Sequence, residues 1–464
     1  MHSPKLRGFR RLAAVALIFS GCGFAFPERK FVEVAEPRAP KYIFIFLADG
    51  AGITHLESAR LYGRHIRREG MVIPDKIMKE GYLGLMTTHP ADSLVTDSAA
   101  GATAMALGCK AKNRSVGICA DGSAPKSVLE LAKEKKIRIG LVTNSTIYDA
   151  SPAGFASHVS DRGLYRPIIE QYLRLEVDLL LGGGRDQFVS DGAGDDRDMI
   201  ALFKKRGYHY VSDRKELAES KGEKVLGLFG LGEMSSILER SQAGEPYLYD
   251  MTEAAIRIIQ QGNSRGFVLF IENEHTDTAS HFSDAASAIH EFREFDRAVE
   301  VAYRFYQKHP RETLLLVTSD HETGGFQLIQ NATPEGLKKI DSIRVSIRQA
   351  VERLGKKPTA EGVDRLMAQY FQGFDLLPEW REALMKEKPL TPAFLNPAAS
   401  ILGAVVASQT GTIWTTSGHT GQPVFVAALG VGAERFRGYL DNTDVGKNLI
   451  AILQGRQQAQ GNRQ

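Results

Sequence analysis

Cysteine is scarce, with three in 464 residues. One of them, Cys22, stands apart from the other two. Cys109 and Cys119 form a lone Cys-x9-Cys pair, which is weak support for a metal site and leaves a disulfide and two free thiols both open. Charge of one sign is also missing: 58 Lys and Arg face 55 Asp and Glu, a formal net charge of +3. Four of the cations (Lys5, Arg7, Arg10 and Arg11) sit at the extreme N-terminus, so without them the balance is 3 − 4 = −1. A nearly neutral chain does not imply a nucleic-acid partner. There is no internal repeat, and no apolar run is long enough to span a bilayer as a helix.

What apolar run the N-terminus has, "LAAVALIF" (Leu12 to Phe19), follows the basic residues and precedes the small residues "SGCG". That is the layout of a secretory signal, assigned to residues 1–22. "FSG" before Cys22 resembles a bacterial lipobox, with Phe19 where a Leu is usual. Plain cleavage and a lipid anchor at Cys22 are therefore both open. The expected location is exported: periplasmic or cell-envelope attached, or secreted. Residues 23–40 read as an irregular lead-in and residues 455–464 as a polar tail.

Between them lies one long domain, 41–454. Its apolar runs are short and unbroken: "KYIFIFLADG", "IRIGLVTNS", "VDLLLGGG", "GFVLFIENE" and "TLLLVTSDHETGG". Runs of this kind suggest strands buried on both faces. Helical patterns precede the last four, and "QPVFVAALG" offers a further strand. Repeated helix–strand alternation predicts a doubly wound α/β fold with a mostly parallel central sheet flanked by helices. Two stretches interrupt it. Residues 186–246 are a charged, Gly-containing mix, and about 328–410 read as a cap-like insertion.

In open parallel sheets ligand groups gather beyond the carboxyl ends of the strands. Here those ends carry Asp49, Glu272 with Asp277, and Asp320 with His321. Asp277 and His281 are four apart, so a helix sets them on one face, able to grip one ion. Asp320 and His321 adjoin after a β-branched run whose turn is already supplied by Gly324 and Gly325. "LVTDSAAGATAMALG" places Asp97 and Ser98 at the mouth of a helix of small residues, where capping alone explains an acid and a hydroxyl.

"TDSAAGATAMALG", "ASPAGFASHVSDR", "IENEHTDTASH", "TSDHETGG" and "SGHTG" together resemble, in order, the signature segments of alkaline phosphatases. The resemblance implies hydrolysis of small phosphate monoesters with Ser98 as the nucleophile that forms a phosphoserine. It implies two zinc ions, one held by Asp277, His281 and His419 and the other by Asp49, Asp320 and His321 with the Ser98 oxygen. It implies one magnesium between Asp49, Ser151 and Glu272, with Asp149 behind it. Arg162 matches the arginine that holds phosphate, and Asp97 the residue that orients it. Thr278 departs from the pattern, because several members carry Lys or His there. Members are often homodimers.

The chemistry agrees with these roles. A serine hydroxyl needs activation by a base or metal. Two cations roughly 4 Å apart can stabilise both the attacking and the leaving oxygen. Arginine offers the planar, bidentate contact that phosphate favours. Availability of the Ser98 alkoxide should raise activity towards alkaline pH. "DSAAGATA" lacks the Pro and Arg of the sulfatase signature C/S-x-P-x-R. Ser98 with Arg162 also favours monoesters over diesters, whose enzymes commonly have Thr and no arginine. A non-catalytic phosphate- or metal-binding protein would lack a nucleophile or a ligand, and here each position is filled.

Overall fold

A computed structural model describes residues 39–189, 197–386 and 390–455. Residues 1–22, read from sequence as a leader with Cys22, nearly all of 23–40 and all residues after Gly455 lie outside the described residues.

Among the described residues ten strands form one sheet. In chain order they are β1 (Tyr42–Ala48), β2 (Tyr82–Thr87), β3 (Arg138–Thr146), β4 (Leu179–Gly183), β5 (His209–Val211), β6 (Val225–Leu228), β7 (Phe267–Asn273), β8 (Thr313–Thr318), β9 (Val424–Gly430) and β10 (Gly438–Asp441). Across the sheet they run β10-β2-β9-β8-β1-β7-β3-β4-β6-β5. Only β9 is antiparallel to its neighbours, β2 and β8. The fold is therefore the mostly parallel, helix-flanked sheet that the apolar runs predict.

The sheet's two faces follow from the pleat, which sends successive side chains to opposite sides. In β1, Ile43, Ile45 and Leu47 enter one core with Ala99, Ala102 and Met105 of helix α1 (Ser98–Leu107). Phe44 and Phe46 enter the other. There they meet Phe292, Phe295 and Val299 of α4 (Ala285–Lys308), with the Phe46 and Phe295 rings 6.0 Å apart. Each such phenylalanine removed from water contributes about 1.5–3 kcal/mol. Between these helices in the chain come α2 (Ala150–Ala156) and α3 (His275–His281), both short and both at strand carboxyl ends.

Residues 186–246 do not merely interrupt the alternation. They supply β5 and β6, which extend the sheet beyond β4 in parallel. β5 is only three residues and β6 four, too short for periodicity to show. The described residues of 328–410 fold largely into helices around a separate core that includes Ile340, Phe371, Leu402 and Val405, joined by Trp414 just beyond them. Cys109 and Cys119 are joined by a disulfide. Among the described residues no helix is long and apolar enough to cross a membrane.

Candidate active site

The register of the central strands brings the acidic residues together. Glu272, near the end of β7, stands beside Leu47 of β1 and Thr143 of β3. Asp49 follows β1 directly, and Asp320 and His321 follow β8. Gly50, at φ +71°, allows the close approach of α3: a Cβ there would lie 2.5 Å from Oδ1 of Asp277.

Ser98 is the first residue of α1 and is buried. Its Oγ lies 3.2 Å from Nε2 of His321, a neighbour 223 positions away that no local spacing reveals. Asp97 caps the helix by accepting from the Ala100 amide at 3.0 Å. Its other oxygen accepts from the Arg114 amide at 3.0 Å and faces Nη1 of Arg162 at 3.4 Å. Asp149 holds the same guanidinium at Nη2, 2.9 Å away. Two carboxylates thus fix Arg162, and capping and positioning are done by one residue, Asp97. The helix is built of small residues because it is buried all round. Gly101 faces Asp320, and a Cβ there would lie 3.1 Å from the Cβ of Asp320.

Asp49, Asp320 and His321 form one cluster of candidate ligands, and Asp277, His321 and His419 a second, each with its ligand atoms within 4.8 Å of one another. The clusters share His321, whose ring stacks on that of His419 at 3.7 Å. His281 joins through Asp277, 2.9 Å from its Nε2, and through Nε2 of His419 at 3.2 Å. The Nδ1 of His281 meets the Ser417 carbonyl at 2.6 Å, and that of His419 meets the Thr96 carbonyl at 2.8 Å. With Nδ1–H donated to a carbonyl, each Nε2 presents a lone pair, the orientation metal-ligating histidines adopt. Two facing lone pairs repel unless a cation or proton lies between them.

Asp49 reaches two ways. Oδ1 lies 3.4 Å from Nε2 of His321, and Oδ2 accepts from Ser151 Oγ at 3.3 Å. Glu272 accepts from Thr143 Oγ1 at 2.6 Å. Oδ1 of Asp49 and Oδ2 of Asp320 are buried with no hydrogen-bond partner among the described residues. Such orphaned carboxylate oxygens are costly unless compensated. Burial, reinforced by the charges of Asp320, Asp277 and Glu272, pushes Asp49 well above the usual carboxylate range. Burial likewise lifts Glu272 to about 8 and Asp320 to about 7. The Asp277 charge raises His281 to about 9, so a proton competes for the place a metal would take. The donor set fits divalent cations: mixed imidazole and carboxylate around His321, His281 and His419, oxygen only around Ser151 and Glu272.

Sequence reasoning missed Thr323. Its hydroxyl donates to Asp277 and lies 3.2 Å from Nδ1 of His321, tying the two clusters together. It sits in the quoted "TSDHETGG", two residues past His321, and that adjacency was the available signal. Thr278 turns its hydroxyl to Oε1 of Glu274 at 2.7 Å.

A buried hydroxyl at a helix start, an arginine held by two acids and a crowd of under-compensated acids and imidazoles beyond a parallel sheet define a metal-dependent hydrolase of the α/β class. The family model described as alkaline phosphatase matches residues 40–455, and the chain belongs to that family. It is 33% identical over 425 residues to alkaline phosphatase 3 of Bacillus subtilis (strain 168), covering 89% of each chain. To alkaline phosphatase 4 of the same strain it is 32% identical over 460 residues, covering 95% of this chain and 96% of that one. The solved alkaline phosphatase of Thermus thermophilus superposes with a TM-score of 0.84 at 27% identity, over 91% of this chain and 93% of that one. The protein is an alkaline phosphatase, a phosphoric monoester hydrolase.

Proposed function

We propose that hydrolysis proceeds through a phosphoserine on Ser98, in a site that takes two zinc ions and one magnesium. Asp277, His281 and His419 would hold the first zinc, and Asp49, Asp320 and His321 the second. Ser151, Glu272 and the far oxygen of Asp49 would hold the magnesium. When bound, the cations supply Lewis acidity to the attacking and leaving oxygens.

The chain's own residues do the rest. The Ser98 hydroxyl gives up its proton as its oxygen forms a bond to phosphorus, the bond from phosphorus to the alcohol oxygen breaks, and the alcohol leaves carrying a proton. Water then attacks phosphorus, the Oγ–P bond breaks, and inorganic phosphate leaves. Arg162, pre-oriented by Asp97 and Asp149, pairs with phosphate oxygens through its planar fork. The start of α1 adds partial positive charge beside Ser98, favouring negative charge there. The observation that carries this reading is the buried Ser98 Oγ, 3.2 Å from Nε2 of His321, which itself lies 3.4 Å from Oδ1 of Asp49 and 3.3 Å from Oδ2 of Asp320, both orphaned oxygens. The reading of residues 1–22 as a leader places the mature enzyme outside the cytoplasm.

The test pairs metal analysis with Ser98→Ala. About two active-site zinc per chain are expected from the ligand count, and Ser98→Ala should keep the wild-type zinc content while losing turnover of p-nitrophenyl phosphate. A variant that still turns over, or a wild type fully active after chelation, overturns the proposal.

A further inference from the structure

A third cluster of candidate ligands, Glu233, Glu274 and His275, has its ligand atoms within 4.8 Å of one another and lies outside the active site described above. Glu274 and His275 are both buried, at 9% and 3% exposure, and Glu233 closes the cluster from the surface. Nε2 of His275 meets the Met234 carbonyl at 2.8 Å, so that nitrogen carries the ring's proton and Nδ1 presents a lone pair. That Nδ1 faces Oε2 of Glu274 at 3.5 Å, and both atoms are buried with no hydrogen-bond partner among the described residues. A lone pair aimed at a carboxylate oxygen, with no proton between them, is repulsive. Both atoms gain from one cation.

The backbone is arranged to bring these groups together. Asn144, near the end of β3, accepts the Glu274 and His275 amides on its side-chain oxygen at 2.8 and 3.4 Å. Its carbonyl accepts the Met234 amide at 3.3 Å. One residue therefore joins the loop after β6 to the start of α3. A cavity of about 400 Å³ opens on the cluster, lined by Glu233, Met234, Ser236, His275, Thr278 and Arg348. Arg348 pairs with Glu233 at the rim, and among the described residues His275 is the one ion-pair partner that Glu274 has.

We infer that Glu233, Glu274 and His275 form a further divalent-cation site that fastens the loop after β6 to α3, the helix that carries Asp277 and His281. One imidazole and two carboxylates suit zinc or another first-row transition ion better than calcium or magnesium, which favour all-oxygen cages. The site's role is to position α3, not to touch substrate.

The test is zinc uptake by the whole enzyme, measured as metal per chain after equilibrium dialysis, with thermal unfolding alongside. Wild type should bind one more zinc per chain than Glu233→Gln and than His275→Gln, and its Tm should rise further with zinc than theirs. Because Glu233 is on the surface, Glu233→Gln decides the matter if His275→Gln fails to fold. Equal zinc content and equal Tm gain in wild type and Glu233→Gln would overturn the assignment.

Discussion

Gly101→Ala tests whether the small residues behind Ser98 set the geometry of the site. The added Cβ would lie 3.1 Å from the Cβ of Asp320, 3.5 Å from the Asp320 carbonyl oxygen and 3.7 Å from Cγ2 of Thr96. The first contact is inside the roughly 3.5–4.0 Å at which carbon atoms attract. Asp320 has no exposed surface and cannot swing aside. Either α1 or Asp320 must therefore move by a few tenths of an ångström. For stability two effects oppose each other: Gly to Ala inside a helix contributes roughly 0.5–1 kcal/mol, and overfilling a packed core costs about 1–3 kcal/mol. The net change should lie between about zero and a loss of about 2.5 kcal/mol. Activity should respond more. If a shift of about 1 Å costs ~100-fold, a few tenths of an ångström cost about 4- to 10-fold in kcat. Steady-state kinetics on p-nitrophenyl phosphate, with Tm and metal content of the same preparation, read all three quantities. An unchanged kcat with a raised Tm would refute the claim that Gly101 is kept small for the site.

Two other expectations follow from named contacts. Arg162→Lys keeps the charge but cannot meet Asp97, Asp149 and two phosphate oxygens at once, so kcat/KM should fall about 10-fold or more; an unchanged value would remove Arg162 from phosphate binding. Asp296, in α4, accepts from the amides of Val72 and Ile73 at 2.9 and 2.8 Å, yet burial raises it to about 7. Its folded value lies above the unfolded one, so its stabilising protonated form is fully present below about pH 4 and lost as pH rises through about 7. Asp296→Asn has no such loss. Its stability relative to wild type, from urea midpoints, should improve by a few kcal/mol between pH 5 and pH 8; a pH-independent difference would contradict this.

The strands that carry the site were legible because they are buried on both faces: β1, β3, β4, β7 and β8 read as unbroken apolar runs. β2 and β10 at the sheet edge alternate buried with exposed residues or are largely exposed, and β5 and β6 are shorter than any periodicity, so those four were not visible. Within the site, Asp277 and His281 could be paired from their spacing on one helix. The approach of Ser98 to His321, and of Thr96 to His419, depends on how the sheet orders its strands, and single-sequence patterns do not encode that order. Thr143 and Thr323, which hold Glu272 and Asp277, escaped notice because a threonine at a strand end is ordinary β chemistry. The pairing of Cys109 with Cys119, left open by sequence, is decided by the fold around α1.

The central claim is that separate segments converge on Ser98 to make its hydroxyl attack phosphorus. Acid quenching of the metal-loaded enzyme during turnover of a 32P-labelled monoester, followed by peptide mapping, tests it most directly. The account expects label on the peptide containing Ser98 in wild type and none in Ser98→Ala. Turnover without label on that peptide, or label on a different residue, would contradict it.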